Sequence, residues 1–99
     1  GDMLELGAMT DALHQEIGAL VPEMNFDMLL TVGEKAKLYV KGAKSKGMKA
    51  AHHFASVQEL IDTLTEIVAE GDVLLIKGSR GMHMEQVVEA MLKLASVKA

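Results

Sequence analysis

Lys77-Gly78-Ser79-Arg80-Gly81 is the densest chemistry in this 99-residue chain. Gly78 and Gly81 let a backbone turn sharply and approach a ligand closely. Lys77 and Arg80 add positive charge, and a guanidinium can grip a carboxylate or phosphate through two parallel bonds. A helical pattern follows, and the free N–H groups at a helix start favour an anion. One reading is therefore an anion site. The other is a tight strand-to-helix turn whose charges are simply solvated. Neither standard nucleotide loop fits. GxxxxGK[ST] places its lysine after the glycines, whereas Lys77 precedes them, and GxGxxG is reduced here to GxxG.

The remaining polar residues give less. His52 and His53 are adjacent, so on a strand they point to opposite faces and cannot pair on a metal. His14 and His83 stand far off in sequence, and no metal-ligand spacing emerges. His83, beside the glycine loop, is the better candidate for substrate contact. Six of the ten basic residues lie between Lys35 and Lys49. A solvated helix face explains them more simply than a phosphate-tracking patch. Glu85 and Glu89 read as surface charges, with Glu85 also placed to orient Arg80. The absence of cysteine removes disulfides, thiolate zinc sites and a thiol nucleophile.

Alternating elements must carry these residues. Thr10 can cap a helix from Asp11 to Leu20, with Leu13, Ile17, Leu20 and Val21 as its apolar stripe, and Pro22 stops it. Residues 27–32 read as a buried strand closed by Gly33. A helix from Glu34 to Lys46 shows Ala36, Tyr39, Val40 and Ala43 on one face. Gly42 should weaken it by ~1 kcal/mol relative to alanine. Residues 49–54 form a weaker strand. Ser56 and Glu59 make a capping box for a helix with Val57, Leu60, Ile61, Leu64, Ile67 and Val68 inward. Asp72-Val-Leu-Leu-Ile-Lys77 is the strongest strand signal. A last helix runs from Met82 or Met84 to Ala95, with Val87, Val88, Met91 and Leu92 inward.

Apolar strands between amphipathic helices predict an α/β fold, a three-layer, mostly parallel sheet covered on both faces. Ligands of such sheets sit beyond the carboxyl ends of the strands, where Lys77–Gly81 would lie. The chain opens, however, on what reads as the loop after a strand. The first strand of an alternating domain is usually central, so the expectation is a missing strand and a chain cut from something larger.

Size and composition suit one small domain over residues 1–99. A net charge of −4 argues against a general nucleic-acid binder. Phe26, Tyr39 and Phe54 are the only aromatics, too few for a base-stacking platform. The eight methionines are read as core filling rather than as a binding surface. No apolar run reaches the roughly 18 residues of a membrane span, and the start is unlike a signal peptide. The default expectation is a cytoplasmic protein.

GDMLELG at residues 1–7 and LLIKGSRGMHMEQVVEAM near the end resemble the C-terminal domain of the Mur ligases. TVGEKA, HHF and EGDVLLIKGSRG extend the similarity over essentially the whole chain. Within the family, the likeness is to the type that adds D-alanyl-D-alanine to a UDP-N-acetylmuramoyl tripeptide in peptidoglycan synthesis.

The resemblance implies a Rossmann-like third domain that binds the incoming amine and closes over the nucleotide. ATP activates the peptide carboxylate as an acyl phosphate, which the dipeptide amine attacks. The central domain would hold ATP and Mg2+ and the N-terminal domain the UDP-sugar, so this chain would need no cofactor and carry no catalytic residue or metal ligand. On the same resemblance, Asp2, Met3, Lys77, Gly78, Ser79, Arg80 and Gly81 face the cleft. Arg80 would meet the dipeptide carboxylate or fix the loop, and Lys77 would meet phosphate charge or pair with Asp2. The isolated chain would then be inactive, and a second copy could cover the gap left by the absent strand, giving a homodimer.

Two other readings compete on chemistry alone. A standalone anion-binding module needs only the loop. A receiver-like signalling domain needs an aspartate at the end of a middle strand, and there the chain has Phe54-Ala55.

Overall fold

The structure, a computed structural model, describes residues 1–3, 9–78 and 80–98, with the side chains of residues 80 and 96–98 left out. Helix α1 spans Thr10–Leu20 and runs into a 3-10 turn, Val21–Met24. Pro22 enters that turn at its start, where a missing N–H costs least. Strand β1 (Leu29–Val32), helix α2 (Lys37–Ser45), strand β2 (Ala51–Phe54) and helix α3 (Val57–Ile67) follow in alternation. A second 3-10 turn, Arg80–Met82, precedes helix α4, Glu85–Lys98.

β1 and β2 pair in parallel, Leu29 opposite Ala51 and Val32 opposite Phe54. Side chains alternate between the faces of such a ladder, so β1 serves two cores. Val32 joins Leu60, Leu64 and Val87, with Leu30 and Phe54 packed against them. Leu29 packs on the opposite face, against Val40, Ala43 and Ala51. Helices thus cover both faces of a parallel sheet, as the pattern predicts.

The strongest predicted strand does not form one. Residues 72–78 run without helix or ladder, and the described sheet has two strands. Ile76 reaches the α3–α4 core, but Val73 is 95% exposed and Leu75 70%. β-propensity measures fit to a pleated surface between neighbours. β1 and β2 satisfy each other, and no ladder bonds reach residues 72–78.

α1 corrects a second expectation. Its buried residues are His14 and Gly18, while Ile17 and Leu20 are exposed and Leu13 is only half-buried. The reason lies in its contact with α2. A Cβ on Gly18 would stand 2.1 Å from the Tyr39 carbonyl oxygen, and one on Gly42 2.1 Å from the Gln15 carbonyl oxygen. Each helix presses its glycine against the other's backbone. Large apolar residues cannot occupy such a seam, so the stripe of α1 turns aside. Gly42 does lower the helix propensity of α2, and the close packing requires it.

The α2 stripe holds, with Ala36, Val40 and Ala43 buried and Tyr39 half-buried. The Ser56 capping box also holds: the Glu59 N–H donates to Ser56 Oγ at 3.2 Å. The Glu59 carboxylate reaches back one residue further than the motif requires, to the Ala55 N–H. On α4, Val87 is buried and Met91 packs inward, but Val88 and Leu92 face solvent. Thr10 does not cap α1, whose N-cap residue is Met9. Among the described residues no helix is long and apolar enough to cross a membrane.

Candidate functional site

The site is built where the opening residues meet the end of the 72–78 run. The Gly1 nitrogen donates to the Lys77 carbonyl at 3.0 Å. Asp2 is buried, and its Oδ1 accepts from the Ala36 N–H just before α2. The Met3 N–H donates to His14 Nε2 at 2.9 Å. Three consecutive residues thus bind to three separate parts of the fold.

Gly33, closing β1, makes room for this. Its φ is +112°, a conformation that favours glycine. A Cβ there would lie 2.5 Å from Asp2 Oδ1 and 2.7 Å from Met82 Cε. Met82 and Met84 lie against Gly1, and Met84 also lies against Gly78. These two methionines fill the space between the glycines, whereas Met9, Met24 and Met28 are exposed and depart from the core-filling expectation.

The sequence-predicted residues fare differently. Gly1, which leads into Asp2 and Met3, stands against Lys77 and Gly78, and the Gly1–Lys77 bond joins segments 76 positions apart. The Asp2 carboxylate points inward, and no ion pair joins it to Lys77 among the described residues. Lys77 and Gly78 are exposed, as is Gly81. Ser79, the Arg80 side chain and residues 4–7 of the opening motif lie outside the described residues.

The helix start differs from the expectation for an anion cradle. α4 does not follow the glycine loop directly. The Arg80–Met82 turn and His83, in a left-handed conformation with φ +53°, come between. α4 then opens on Glu85, an acidic residue in the first turn, where the helix dipole favours negative charge from the chain itself. Glu85 Oε1 lies 3.4 Å from His83 Nδ1, both side chains exposed.

Among the described residues no group of three His, Asp or Glu side chains could hold a metal ion. The carboxylates near the site face Ala36 and His83. A hollow of about 460 Å3 opens elsewhere, lined by Met28, Leu30, His52, His53, Phe54, Thr63 and Ile67. Among the described residues, none of 1–3, 77, 78 or 81 lines it.

Sequence reasoning missed His14. It is fully buried, with Nδ1 2.6 Å from the Thr10 carbonyl oxygen and its ring 4.9 Å from that of Tyr39. The available signal was its place within the helical span, on a face bearing Gly18 four residues on. The Ala36 amide, a backbone group, left no signal in residue type.

Residues 1–80, from the opening segment into the glycine loop, match the model of the family described as "Mur ligase, glutamate ligase domain". The chain belongs to that family. The match of this Mur ligase domain stops before His83 and Glu85. Among curated proteins, it is similar to the UDP-N-acetylmuramoyl-tripeptide–D-alanyl-D-alanine ligases of three bacteria. Identity is 32% over 94 residues with that of Bacillus subtilis, covering 94% of this chain and 21% of the relative. It is 38% over 93 residues with that of Escherichia coli, covering 92% and 20%. It is 30% over 97 residues with that of Haemophilus influenzae, covering 92% and 20%. The Mur ligase domain thus spans about a fifth of the length of these relatives. No solved structure matches it significantly.

Proposed function

We propose that this chain is the substrate-binding and closing domain of an ATP-dependent ligase that joins D-alanyl-D-alanine to UDP-N-acetylmuramoyl tripeptide in the cytoplasm. The observation that carries this reading is the Gly1–Lys77 contact at 3.0 Å. It brings the start of the opening motif against the start of the KGSR motif, and relatives that resemble the chain over nine-tenths of its length are named for that reaction. Both motifs then form one wall of a cleft.

In this reading the 99 residues act as one domain. Lys77, Gly78, Ser79, Arg80 and Gly81 present charge and backbone N–H groups to the dipeptide carboxylate and to phosphate. Asp2 and Met3 shape the adjoining surface, with the Asp2 carboxylate holding the segment rather than the ligand. ATP and Mg2+ bind mainly to the central domain, and the UDP-sugar to the N-terminal one. The contribution of this chain is to position the amine and exclude water.

The chain alone then releases no phosphate from ATP, Mg2+, UDP-muramoyl tripeptide and D-alanyl-D-alanine. Release above a buffer control would overturn that statement. D-alanyl-D-alanine titrated against the 15N-labelled chain should shift the amides of Gly78 to Gly81 in the millimolar range. Unmoved amides would remove the case for a preformed wall.

A further inference from the structure

His14 is the one fully buried ionisable side chain identified among the described residues, and the proposed function does not use it. A neutral imidazole has one N–H and one lone pair. Nε2 receives the Met3 N–H at 2.9 Å, so Nε2 must carry the lone pair. Nδ1 lies 2.6 Å from the Thr10 carbonyl oxygen, a pure acceptor, so Nδ1 must carry the hydrogen. The Thr10 hydroxyl stands further off, at 3.3 Å from the same nitrogen. The partners thus assign a single tautomer. The ring is held in place by Tyr39, tilted 40° at 4.9 Å.

We infer that His14 is the positioning residue of the opening segment, a latch that fixes the Met3 backbone through the Nε2 lone pair. The chain of support is short. Thr10 orients the ring, the ring holds the Met3 amide, and Asp2, one residue earlier, is thereby kept in reach of Ala36. That the held segment lines a substrate cleft rests on the proposed function; the latch itself does not.

Two substitutions separate the latch from simple packing. In His14→Gln, the side-chain oxygen reaches about as far as Nε2 and can still accept from Met3. In His14→Asn, the amide group reaches only as far as Nδ1 and can replace only the Thr10 contact. Both lose the ring against Tyr39. The expected result is about tenfold faster solvent exchange of the Met3 amide in His14→Asn, the size of one net hydrogen bond. His14→Gln should stay close to the parent, and the Ala36 amide should follow the same order. Equal exchange in the two variants would overturn the latch and leave only a packing role.

A second measurement needs no variant. In the 15N-labelled parent chain, the His14 ring shifts should report hydrogen on Nδ1, with a scalar coupling between Met3 N and His14 Nε2. A ring protonated on Nε2 would overturn the inference. Neither experiment contains ligand, so a failed dipeptide titration and a failed latch are distinguishable.

Discussion

The seam between α1 and α2 and the run from Asp72 to Gly78 invert the usual link between apolar character and burial. The seam is built on two glycines and one histidine with half-buried Tyr39 beside them, yet Gly18, His14 and Gly42 are all buried. The run holds Val73, Leu74, Leu75 and Ile76, yet only Ile76 among them is even half-buried. Burial follows from which surfaces a neighbour can reach. Two helices whose backbones touch at glycine exclude water with no large aliphatic side chain at the contact. An extended segment without a ladder partner has nothing to exclude water with.

Gly42→Ala should test the seam most severely. Alanine gains up to ~1 kcal/mol in helix propensity over glycine. The added Cβ would stand 2.1 Å from a backbone oxygen, which cannot rotate aside, so the cost lies at the upper end of the usual overpacking range, about 3 kcal/mol. Urea denaturation should therefore show a net loss of about 2 kcal/mol or more. An unchanged midpoint would mean the helices are further apart than described. Asp2→Ala should come next. It leaves the Ala36 N–H without its partner, a loss of about 2 kcal/mol in the same assay.

Leu75→Ala should move the midpoint by less than about 0.5 kcal/mol, because a 70% exposed side chain has little burial to lose. A loss above about 2 kcal/mol would show that the run is packed in solution and erase the contrast.

The smallest effect belongs to the exposed pair that also bridges α1 to the turn before α2. Lys35 Nζ lies 2.7 Å from Asp11 Oδ1. That hydrogen bond holds the Asp11 carboxyl below its ordinary value and raises the Lys35 ammonium above its own. The carboxylate contribution is complete above the ordinary value of 3.8 and fades as pH falls through the lowered one. The ammonium contribution is complete below 10.5 and fades as pH rises through the raised value. Asp11→Asn should remove the acid-side slope, read by thermal melts between pH 2 and 5, roughly the range over which a salt-bridged aspartate titrates. Added salt should shrink the difference.

The parts legible in the sequence are those set by side-chain pattern. The α2 face, the Ser56 cap and the α3 stripe follow from residue pattern, apart from Ile67, which is exposed at the end of α3, and both paired strands follow from short apolar runs. So does the alternation that makes the fold α/β. What escaped was set by backbone proximity. Gly42 reads as a weak helix residue, and Gly18 carries no signal of its own, because their value lies in the atom they lack. Val73 and Leu75 read as strand because propensity carries no information about whether a neighbour is present. The loop at Lys77–Gly81 was legible as a place of charge and sharp turning. Its relation to α4 was not, because nothing in the residue types marks the left-handed His83.

The three bonds made by residues 1–3 also bear on how the chain reaches its folded state. They connect positions 76, 34 and 11 residues apart. Contacts of such unequal range do not form together, and the long ones come late because closing a large loop must precede them. Bonds absent from the transition state leave the folding rate almost untouched and act on the escape rate. Asp2→Ala should accordingly speed unfolding about 30-fold, the whole of its loss of about 2 kcal/mol, in a stopped-flow experiment while refolding stays near the parent rate. The opening segment then works as a brake on unfolding rather than as a guide to folding.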